Sequence, residues 1–187
     1  DAVILSIGFG ESSRILRTGD GGSSWATMFI NKEEGAFYNF LGFYDDRQHG
    51  IAFSDTVDGC FRIITTSDGG ANWHVVPQGS LPPALEHEGA FAASGKNMAL
   101  RAGGLAWIGM GASAGHARVL RSVTYGQSWQ ISTTPIRSGP SAGIFSLTFC
   151  DCQNGVAVGG DYQLEDEAVN VAVTADGGMS WELAAAT

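Results

Sequence analysis

The stretch Thr66-Ser67-Asp68-Gly69-Gly70-Ala71-Asn72-Trp73 recurs in related form three more times along this chain of 187 residues. The other copies are Thr18-Gly19-Asp20-Gly21-Gly22-Ser23-Ser24-Trp25, Ser122-Val123-Thr124-Tyr125-Gly126-Gln127-Ser128-Trp129 and Thr174-Ala175-Asp176-Gly177-Gly178-Met179-Ser180-Trp181. We name the four copies Trp turns 1 to 4, in chain order. Their tryptophans are spaced by about 50 residues, and a period of this size indicates a repeated supersecondary unit, as in propellers and solenoids.

Each Trp turn joins two short apolar runs, as the turn of a β-hairpin does. Arg62-Ile63-Ile64-Thr65 precedes the second copy, and Trp73-His74-Val75-Val76 follows it. An Asp-Gly pair between such runs favours a turn, because both residues tolerate positive φ. The carboxylate can accept backbone hydrogen bonds, and the indole ring can cover the turn. We therefore predict structural roles for the repeated Asp (or Thr) and Trp positions, which are Asp20, Trp25, Asp68, Trp73, Thr124, Trp129, Asp176 and Trp181.

The repeated pattern resembles the Asp-box, or BNR repeat, Ser/Thr-x-Asp-x-Gly-x-Thr/Ser-Trp. Three of the four copies match closely, whereas the third has Thr124 in place of Asp, so its turn should be less well braced. The Asp-Gly-Gly form most resembles the photosystem II assembly factors and their bacterial relatives. Gly50-Ile51-Ala52-Phe53-Ser54-Asp55 and Gly155-Val156-Ala157-Val158-Gly159-Gly160 also resemble the strand that this family places before its box.

The resemblance implies an all-β fold and a particular kind of function. The assembly-factor family consists of β-propellers, and its likeness implies a non-catalytic binding or assembly scaffold that is typically exported. We therefore expect a periplasmic or secreted location. Asp-boxes also occur in sialidases, sortilin-type receptors and lectins, so the likeness is specific for the fold and not for the function.

We predict a β-propeller of four-stranded antiparallel blades, with strands named a to d in each blade. The chain should contain about three and a half to four blades, with boundaries at 1–31 (a partial blade), 32–78, 79–134 and 135–187. In the third blade, Asn97–Arg101 is predicted as strand b, with Trp107 in the loop that follows. Because propellers typically close with four to eight blades, we expect part of a six- or seven-bladed ring, as the resemblance implies, or self-assembly of the arc into a ring.

Composition limits the classes of partner. The formal net charge is −9 and charged residues make up 16% of the chain, so nucleic acid and anionic membranes should repel it. No apolar run approaches the roughly 20 residues of a membrane span, so we expect no membrane insertion. The three cysteines, Cys60, Cys150 and Cys152, form no disulfide framework. No Gly-x-Gly-x-x-Gly unit between a strand and a helix supports a dinucleotide, and we expect no cofactor.

The propeller topology places the ligand face away from the Trp turns. Ligands usually bind propellers where the b–c and d–a loops converge. The predicted contacts on this face are Trp107, Tyr162, Asp161, His87 and Arg137. Three groups contain residue types that can bind metals, and a simpler interpretation is preferred for each. We interpret the acidic run 161–167 as a solvated loop, Glu86-His87-Glu88 as exposed surface, and Cys150-x-Cys152 as thiols on one face of a strand. We expect no metal site.

Two functional classes follow from these residues. The first is a non-catalytic scaffold that binds a protein or a saccharide on the loop face. The alternative is a glycoside hydrolase of the sialidase type, which would need an arginine cluster, a Tyr–Glu pair and an acid/base Asp. Arg137 and Arg101 are the only arginines that we place near the loop face, and the acidic balance disfavours an anionic sugar. The scaffold is therefore the preferred prediction.

Overall fold

A computed structural model describes residues 1–92, 95–164 and 170–184 of the chain. Within these ranges the fold is built from β-strands and two short 3-10 turns, Gly10–Ser12 and Gln78–Ser80. The strands are β1 Ala2–Ser6, β2 Arg14–Thr18, β3 Ala26–Ile30, β4 Tyr38–Phe43, β5 Gly50–Val57, β6 Cys60–Thr66, β7 His74–Val75, β8 Met98–Arg101, β9 Leu105–Gly109, β10 Gly115–Ser122, β11 Gln130–Ser138, β12 Ala142–Phe149, β13 Gly155–Asp161, β14 Val171–Thr174 and β15 Glu182–Leu183. The described residues contain no helix with the length and apolar character needed to cross a membrane.

The strands form four antiparallel sheets in chain order. Sheet 1 contains β1–β3, and sheets 2, 3 and 4 contain β4–β7, β8–β11 and β12–β15. Each strand pairs with the strand next to it in sequence, so every sheet is a simple meander. The Trp turns join the last two strands of each sheet and lie at one end, which we name the turn end; the opposite end is the loop end. The predicted all-β arrangement of four-stranded antiparallel blades is confirmed, with three strands in the first.

Three apolar cores lie between consecutive sheets. The first joins sheets 1 and 2 through Ile15, Ala52 and Ile64. The second joins sheets 2 and 3 and includes Phe53, Ile63, Ile108 and Leu120. The third joins sheets 3 and 4 and includes Val119, Ile144, Leu147 and Ala172. The sheets are therefore stabilised by stacking face to face, as the blades of a propeller are.

The strand assignment in sheet 3 corrects the sequence prediction. Met98–Arg101 is the first strand of its sheet, not the second. Gly103 and Gly104 both have a φ of +81°, and they close a tight turn into β9, which contains Trp107. The prediction failed because β9 is largely buried on both faces and so lacks the alternation that marks a half-buried strand.

The predicted boundary between residues 134 and 135 is also wrong, because it falls inside β11. This strand continues to Ser138, and residues 139–141 separate it from β12. The strand contains Pro135, a residue that is uncommon within strands. The proline lies where the register of β11 shifts against β10, between the partners of His116 and Arg118. A proline is tolerated at a bulge in an edge strand, since no regular ladder hydrogen bond is lost there.

Trp turns 1, 2 and 4 contain the same pattern of internal hydrogen bonds. In Trp turn 2, the Thr66 hydroxyl donates to Asp68 Oδ1 over 2.8 Å and accepts from Gly70 N–H over 3.1 Å. Asp68 Oδ1 also accepts from Asn72 N–H over 2.9 Å. Trp turns 1 and 4 contain the equivalent bonds. The three carboxylates therefore brace their own turns from within.

Trp turn 3 lacks the carboxylate and is braced differently. Thr124 Oγ1 accepts from Ser128 N–H over 2.9 Å, as the aspartate does elsewhere. Tyr125 has a φ of +55° at a position held by glycine in the other three turns. Its ring packs on His49 and Tyr44 of sheet 2, with ring centroids 4.0 and 5.0 Å apart. These contacts offset the cost of a left-handed backbone at a non-glycine residue.

A second repeated motif, which the sequence interpretation missed, supports two of the Trp turns. Asp46-Arg47-Gln48-His49-Gly50 and Asp151-Cys152-Gln153-Asn154-Gly155 join the first two strands of sheets 2 and 4. The carbonyl oxygens of Gln48 and Gln153 accept from the first glycine N–H of Trp turns 2 and 4, over 2.9 and 2.8 Å. The signal was the recurring Asp-x-Gln-(His/Asn)-Gly pattern. Cys150 and Cys152 are exposed thiols in and beside this turn, which corrects their placement on a strand.

Removing one turn carboxylate should destabilise the fold. We expect Asp68→Ala to lower the free energy of unfolding by about 1 to 2 kcal/mol, because Asn72 N–H and the Thr66 hydroxyl lose their acceptor. Asp45→Ala is the matched control, since it removes a neighbouring exposed carboxylate outside the turn. Urea unfolding monitored by circular dichroism gives both values, and equal losses in the two variants would contradict the structural role.

Acid should weaken the same turns. Hydrogen bonds, first from the Asn72 side chain, lower the pKa of Asp68 to about 2. Bonds led by the Ser24 and Ser180 side chains likewise hold the pKa values of Asp20 and Asp176 below their usual range. An unfolded Asp titrates near about 4, so this stabilisation is complete above about pH 4 and is lost as the pH falls toward about 2.

Urea titrations between about pH 7 and about pH 2 should therefore show a falling free energy of unfolding below about pH 4. The decrease should be smaller in Asp68→Asn, which retains a hydrogen-bonding side chain but no titrating group at this position. A flat acid profile for the unmodified protein would contradict the assignment.

Candidate functional site

Trp107 lies in the core and not on the predicted ligand face. Its side chain is 0% exposed. The indole N–H donates to the carbonyl oxygen of Gly177 over 2.7 Å, and the ring stacks on Phe149 with centroids 3.7 Å apart and an interplanar angle of 11°. Its placement in a loop was wrong. The residue joins sheet 3 to Trp turn 4, and neither ring face is open to a ligand.

Tyr162 belongs to a cluster of three aromatic rings. The residue follows β13 at the loop end and is 65% exposed. Its ring centroid lies 6.2 Å from that of Phe91 and 6.4 Å from that of Phe145, and the latter two are 5.0 Å apart. We name these residues the aromatic cluster. They come from the β7–β8 connection, strand β12 and the β13–β14 connection, so three separate segments contribute to one aromatic surface.

Two glycines create the seat of the aromatic cluster. A Cβ atom added at Gly111 or Gly143 would lie 2.6 or 2.8 Å from Cε2 of Phe91, so any larger residue would displace the ring. Isolated β-bridges join Gly89 to Gly111 and Gly111 to Gly143. The Phe91 ring therefore rests on backbone that three chain segments hold together. Sequence reasoning missed Phe91 and Phe145, because this seat depends on pairings between distant segments.

Polar groups lie next to the aromatic cluster. Asp161 Oδ1 accepts from the Ser141 hydroxyl over 2.6 Å and from Gln163 N–H over 3.0 Å. These bonds, Ser141 first, and the nearby charge of Arg137 hold the pKa of Asp161 below its usual range, so the group is ionised at neutral pH. Arg137 is exposed on β11, in register with His116, rather than in a loop. The structure thus brings Tyr162, Asp161 and Arg137 to one region.

His87 and its neighbours occupy a different part of the loop end. The His87 side chain is exposed, with Nε2 3.5 Å from Glu86 Oε1, and its backbone φ is +59°. Glu88 is buried instead. Its carboxylate accepts from both Nε and Nη2 of Arg118, the former over 2.8 Å, and from Leu85 N–H over 2.9 Å. Glu88 therefore fastens the β7–β8 connection to sheet 3, and the three consecutive residues do not act as one site.

The described residues contain no group of three or more His, Cys, Asp or Glu side chains placed to hold a metal. Asp161 is the first residue of the acidic run 161–167, which the sequence analysis interpreted as a solvated loop in preference to a cation site. Its later members, Glu165, Asp166 and Glu167, lie outside the described residues. Of the described part of this run, Asp161 is committed to Ser141 and to the backbone of its own turn.

Asp55 is a further acidic group at the loop end. It lies on β5, which continues to Val57, and only Asp58 and Gly59, at φ +51° and +70°, turn the chain into β6. Asp55 Oδ1 accepts from the Asn39 side chain over 2.6 Å and from Ala90 N–H over 3.1 Å. Burial raises the pKa of this carboxyl above its ordinary value, against both hydrogen bonds.

Comparisons with known proteins identify the architecture. No family model and no curated protein matches the chain. Among solved structures it is similar to a GH74 enzyme from Niastella koreensis, at 13% identity and a TM-score of 0.60, with 97% of this chain and 30% of that chain covered. A protein of unknown function from Dyadobacter fermentans aligns at 16% identity and a TM-score of 0.56, covering 94% of this chain and 59% of that one. The chain has a β-propeller fold.

The propeller also aligns with YCF48 bound to a D1 peptide, at 14% identity and a TM-score of 0.41, over 96% of this chain and 79% of that one. The chain spans less than two thirds of the Niastella koreensis and Dyadobacter fermentans proteins. At these identities the similarity shows a shared fold alone. The assignment of a function rests on the residues of this propeller.

Substitutions at Trp107 test its assignment to the core. Trp107→Phe keeps a ring against Phe149 but removes the N–H bond to Gly177, so we expect a loss of about 1 to 2 kcal/mol in unfolding free energy. Trp107→Ala also leaves a cavity, and we expect a loss of about 3 to 5 kcal/mol. Guanidinium unfolding measures both, and an unchanged stability of Trp107→Ala would contradict the core role.

Proposed function

We propose that this propeller is a non-catalytic binding scaffold whose ligand, a protein or a saccharide, binds at the loop end. The aromatic cluster of Phe91, Phe145 and Tyr162 is the observation that carries the proposal. Three rings from separate segments meet there. Tyr162 is the most exposed of them and combines apolar area with a hydroxyl group. Binding energy at protein surfaces is commonly concentrated in such aromatic anchors.

The packing of the cluster favours binding over mere surface filling. Phe91 is held edge-on to both neighbouring rings and is seated against Gly111 and Gly143. A ring that is already ordered loses little conformational entropy when a ligand contacts it. Asp161 and Arg137 add one negative and one positive charge beside the rings, which would orient a polar ligand. Exposed His87 is assigned a peripheral contact.

We further propose that the chain belongs with the Asp-box propellers of the photosystem II assembly-factor type. Three Trp turns carry the Asp-box residues, and their carboxylates face their own turns. In this reading the turn end is structural and the loop end is where partners differ. A role in assembly would require a protein ligand, so a peptide is the first class of ligand to test.

A glycoside hydrolase is the alternative function. The fold that the chain shares with a GH74 enzyme and the raised pKa of Asp55 favour it. Glycoside hydrolysis needs two carboxyl groups about 5 to 10 Å apart across a cleft, one of them protonated. Of the described acids at the loop end, Glu88 is neutralised by Arg118, and Asp161 is ionised and held by Ser141. These engagements favour the scaffold.

Ligand capture tests the proposal. The probes are a phage-displayed library of random dodecapeptides and an array of neutral oligosaccharides, each presented to the unmodified chain. We expect one probe class to yield binders whose affinity falls by about tenfold or more in Tyr162→Ala, because an exposed aromatic anchor is lost. Met179→Ala is the matched control, since Met179 is exposed at the turn end.

The result that contradicts the scaffold is turnover. Hydrolysis of aryl glycosides by the chain, abolished in Asp55→Asn while the fold remains intact by circular dichroism, would establish the hydrolase alternative. Binders that retain full affinity for Tyr162→Ala would instead show that the aromatic cluster is not the ligand site.

A further inference from the structure

Asp55, on β5, packs against the chain segment that leads into Phe91. Its Oδ1 accepts from the Asn39 side chain over 2.6 Å and from Ala90 N–H over 3.1 Å. A Cβ built on Gly89 would lie only 2.6 Å from the same oxygen, so the backbone of this segment rests directly on the carboxyl group. Asp55 therefore bonds the residue immediately before Phe91, the ring that packs edge-on against both other members of the aromatic cluster.

Further bonds hold the same segment, residues 88–91, which we name the Phe91 strap. Thr56 Oγ1 donates to the Glu88 carbonyl oxygen over 2.6 Å. Gly89 and Gly111 exchange backbone hydrogen bonds over 3.1 and 2.8 Å. The strap is thus fixed to β5 on one side and to the glycine seat of the Phe91 ring on the other. Among these bonds to the strap backbone, only the bond to Asp55 involves an ionisable side chain.

In the described part of sheet 2, the bonds of the nearby charged groups lead away from Asp55. Arg62 on β6 donates through Nε and Nη2 to the two carboxylate oxygens of Glu33, both over 2.6 Å. Tyr38 on β4 is buried, and burial raises its pKa, so the phenol remains neutral at physiological pH. The donor that sheet 2 gives to Asp55 is the neutral amide of Asn39.

The strap also gives Asp55 a neutral donor. The Glu88 carboxylate is bonded to Arg118, His87 is exposed, and Ala90 reaches Asp55 through its backbone N–H. An ionised Asp55 is therefore held by two neutral groups where the strap shields it from water, and burial raises the pKa of the carboxyl against both bonds. Opening the strap would return this carboxyl to water, so ionisation favours the open strap and protonation favours the closed one.

We propose that Asp55 is a positioning residue for the ligand site: its protonated carboxyl keeps the Phe91 strap closed, and its ionisation loosens the strap. The inference rests on the proposed function, because it takes the aromatic cluster as the ligand site. A closed strap holds the Phe91 ring on its seat before a ligand arrives, whereas a loose strap must be ordered at the expense of binding energy. Binding is therefore strongest in mildly acidic solution.

The pH range of this response lies above the range in which the Trp turns titrate. The stabilisation of the closed strap is complete below about pH 4, the ordinary pKa of an aspartate, and is lost as the pH rises through the raised pKa of Asp55. The carboxylates of Asp20, Asp68 and Asp176 have lowered pKa values and are already ionised over this range. The two responses have opposite signs, so they can be separated.

Hydrogen exchange of the Ala90 amide, followed by NMR in the absence of any ligand, tests the strap. After correction for the intrinsic pH dependence of exchange, we expect the protection of this amide to fall between about pH 4 and about pH 7 in the unmodified chain. Asp55→Asn keeps an uncharged acceptor, so its Ala90 amide should remain protected throughout. Asp55→Ala lacks the acceptor and should lose protection by about tenfold at every pH.

Two variants are the matched controls. Asp58→Asn removes the exposed carboxylate of the turn that follows β5, where asparagine also tolerates the positive φ, and should keep the pH response. His87→Asn removes the histidine next to the strap, a side-chain type that commonly titrates in this range, and should keep it as well. A pH response that is absent from the unmodified chain, that persists in Asp55→Asn, or that disappears in either control would overturn the role of Asp55.

Binding tests the link from the strap to the site. The probe is a dodecapeptide or neutral oligosaccharide that the unmodified chain captures and that Tyr162→Ala releases. Its affinity should be higher at about pH 5 than at about pH 7 for the unmodified chain and Asp58→Asn, and equal at the two values for Asp55→Asn.

The outcomes separate this inference from the proposed function. Equal affinity of the probe at both pH values for the unmodified chain would overturn the positioning role of Asp55 and leave the aromatic cluster as the ligand site. If the Ala90 amide responds to pH but no captured probe depends on Tyr162, the ligand site itself is contradicted, and the ligand role of Asp55 is overturned with it.

Discussion

The close approach of a sheet to the fifth residue of the next Trp turn, a glycine in every copy, is the contact on which the rest of the structure depends. A side chain from the preceding sheet fills the space above that glycine, so a Cβ would collide with Ile51 at Gly126 and with Trp107 at Gly178. The glycine also has positive φ in every copy, at +94°, +83°, +80° and +85°. Backbone conformation and interface packing therefore demand the same residue, and the turn fixes how consecutive sheets stack.

The hydroxyl and carboxylate of each Trp turn serve this contact by holding the turn in place. Where the carboxylate is absent, in Trp turn 3, a threonine hydroxyl takes one of its hydrogen bonds and Tyr125 packs on the preceding sheet. Bracing from within the turn is thus exchanged for bracing from a neighbour. Gln48 and Gln153 add a third source of support from the first strand connection of their sheets. Several weak bonds acting together make the repeat tolerant of local sequence change.

The rigid turn end leaves the loop end free to differ among sheets. The bonds of Glu88 to Arg118 and of Ala90 N–H to Asp55 fasten the β7–β8 connection, and the β-bridges at Gly111 seat Phe91. The aromatic cluster forms only because these separate ties bring three segments together. This division of labour, a uniform scaffold with varied loops, is how repeat folds commonly present binding surfaces.

The sequence by itself determined the repeat, the antiparallel sheets and the residues of the Trp turns, because hairpin chemistry is local and recurs at a fixed period. It misplaced β8, β9 and the end of β11, where burial on both faces or a bulge hides the alternation of a strand. It placed Tyr162 and Asp161 at the loop end, where the structure has them, yet it treated the buried Trp107 as a ligand contact and gave no role to Phe91 and Phe145. Only the tertiary structure decided these positions, because whether an aromatic ring is buried or exposed depends on which distant segment packs against it, as Gly177 does for Trp107 and Gly143 does for Phe91.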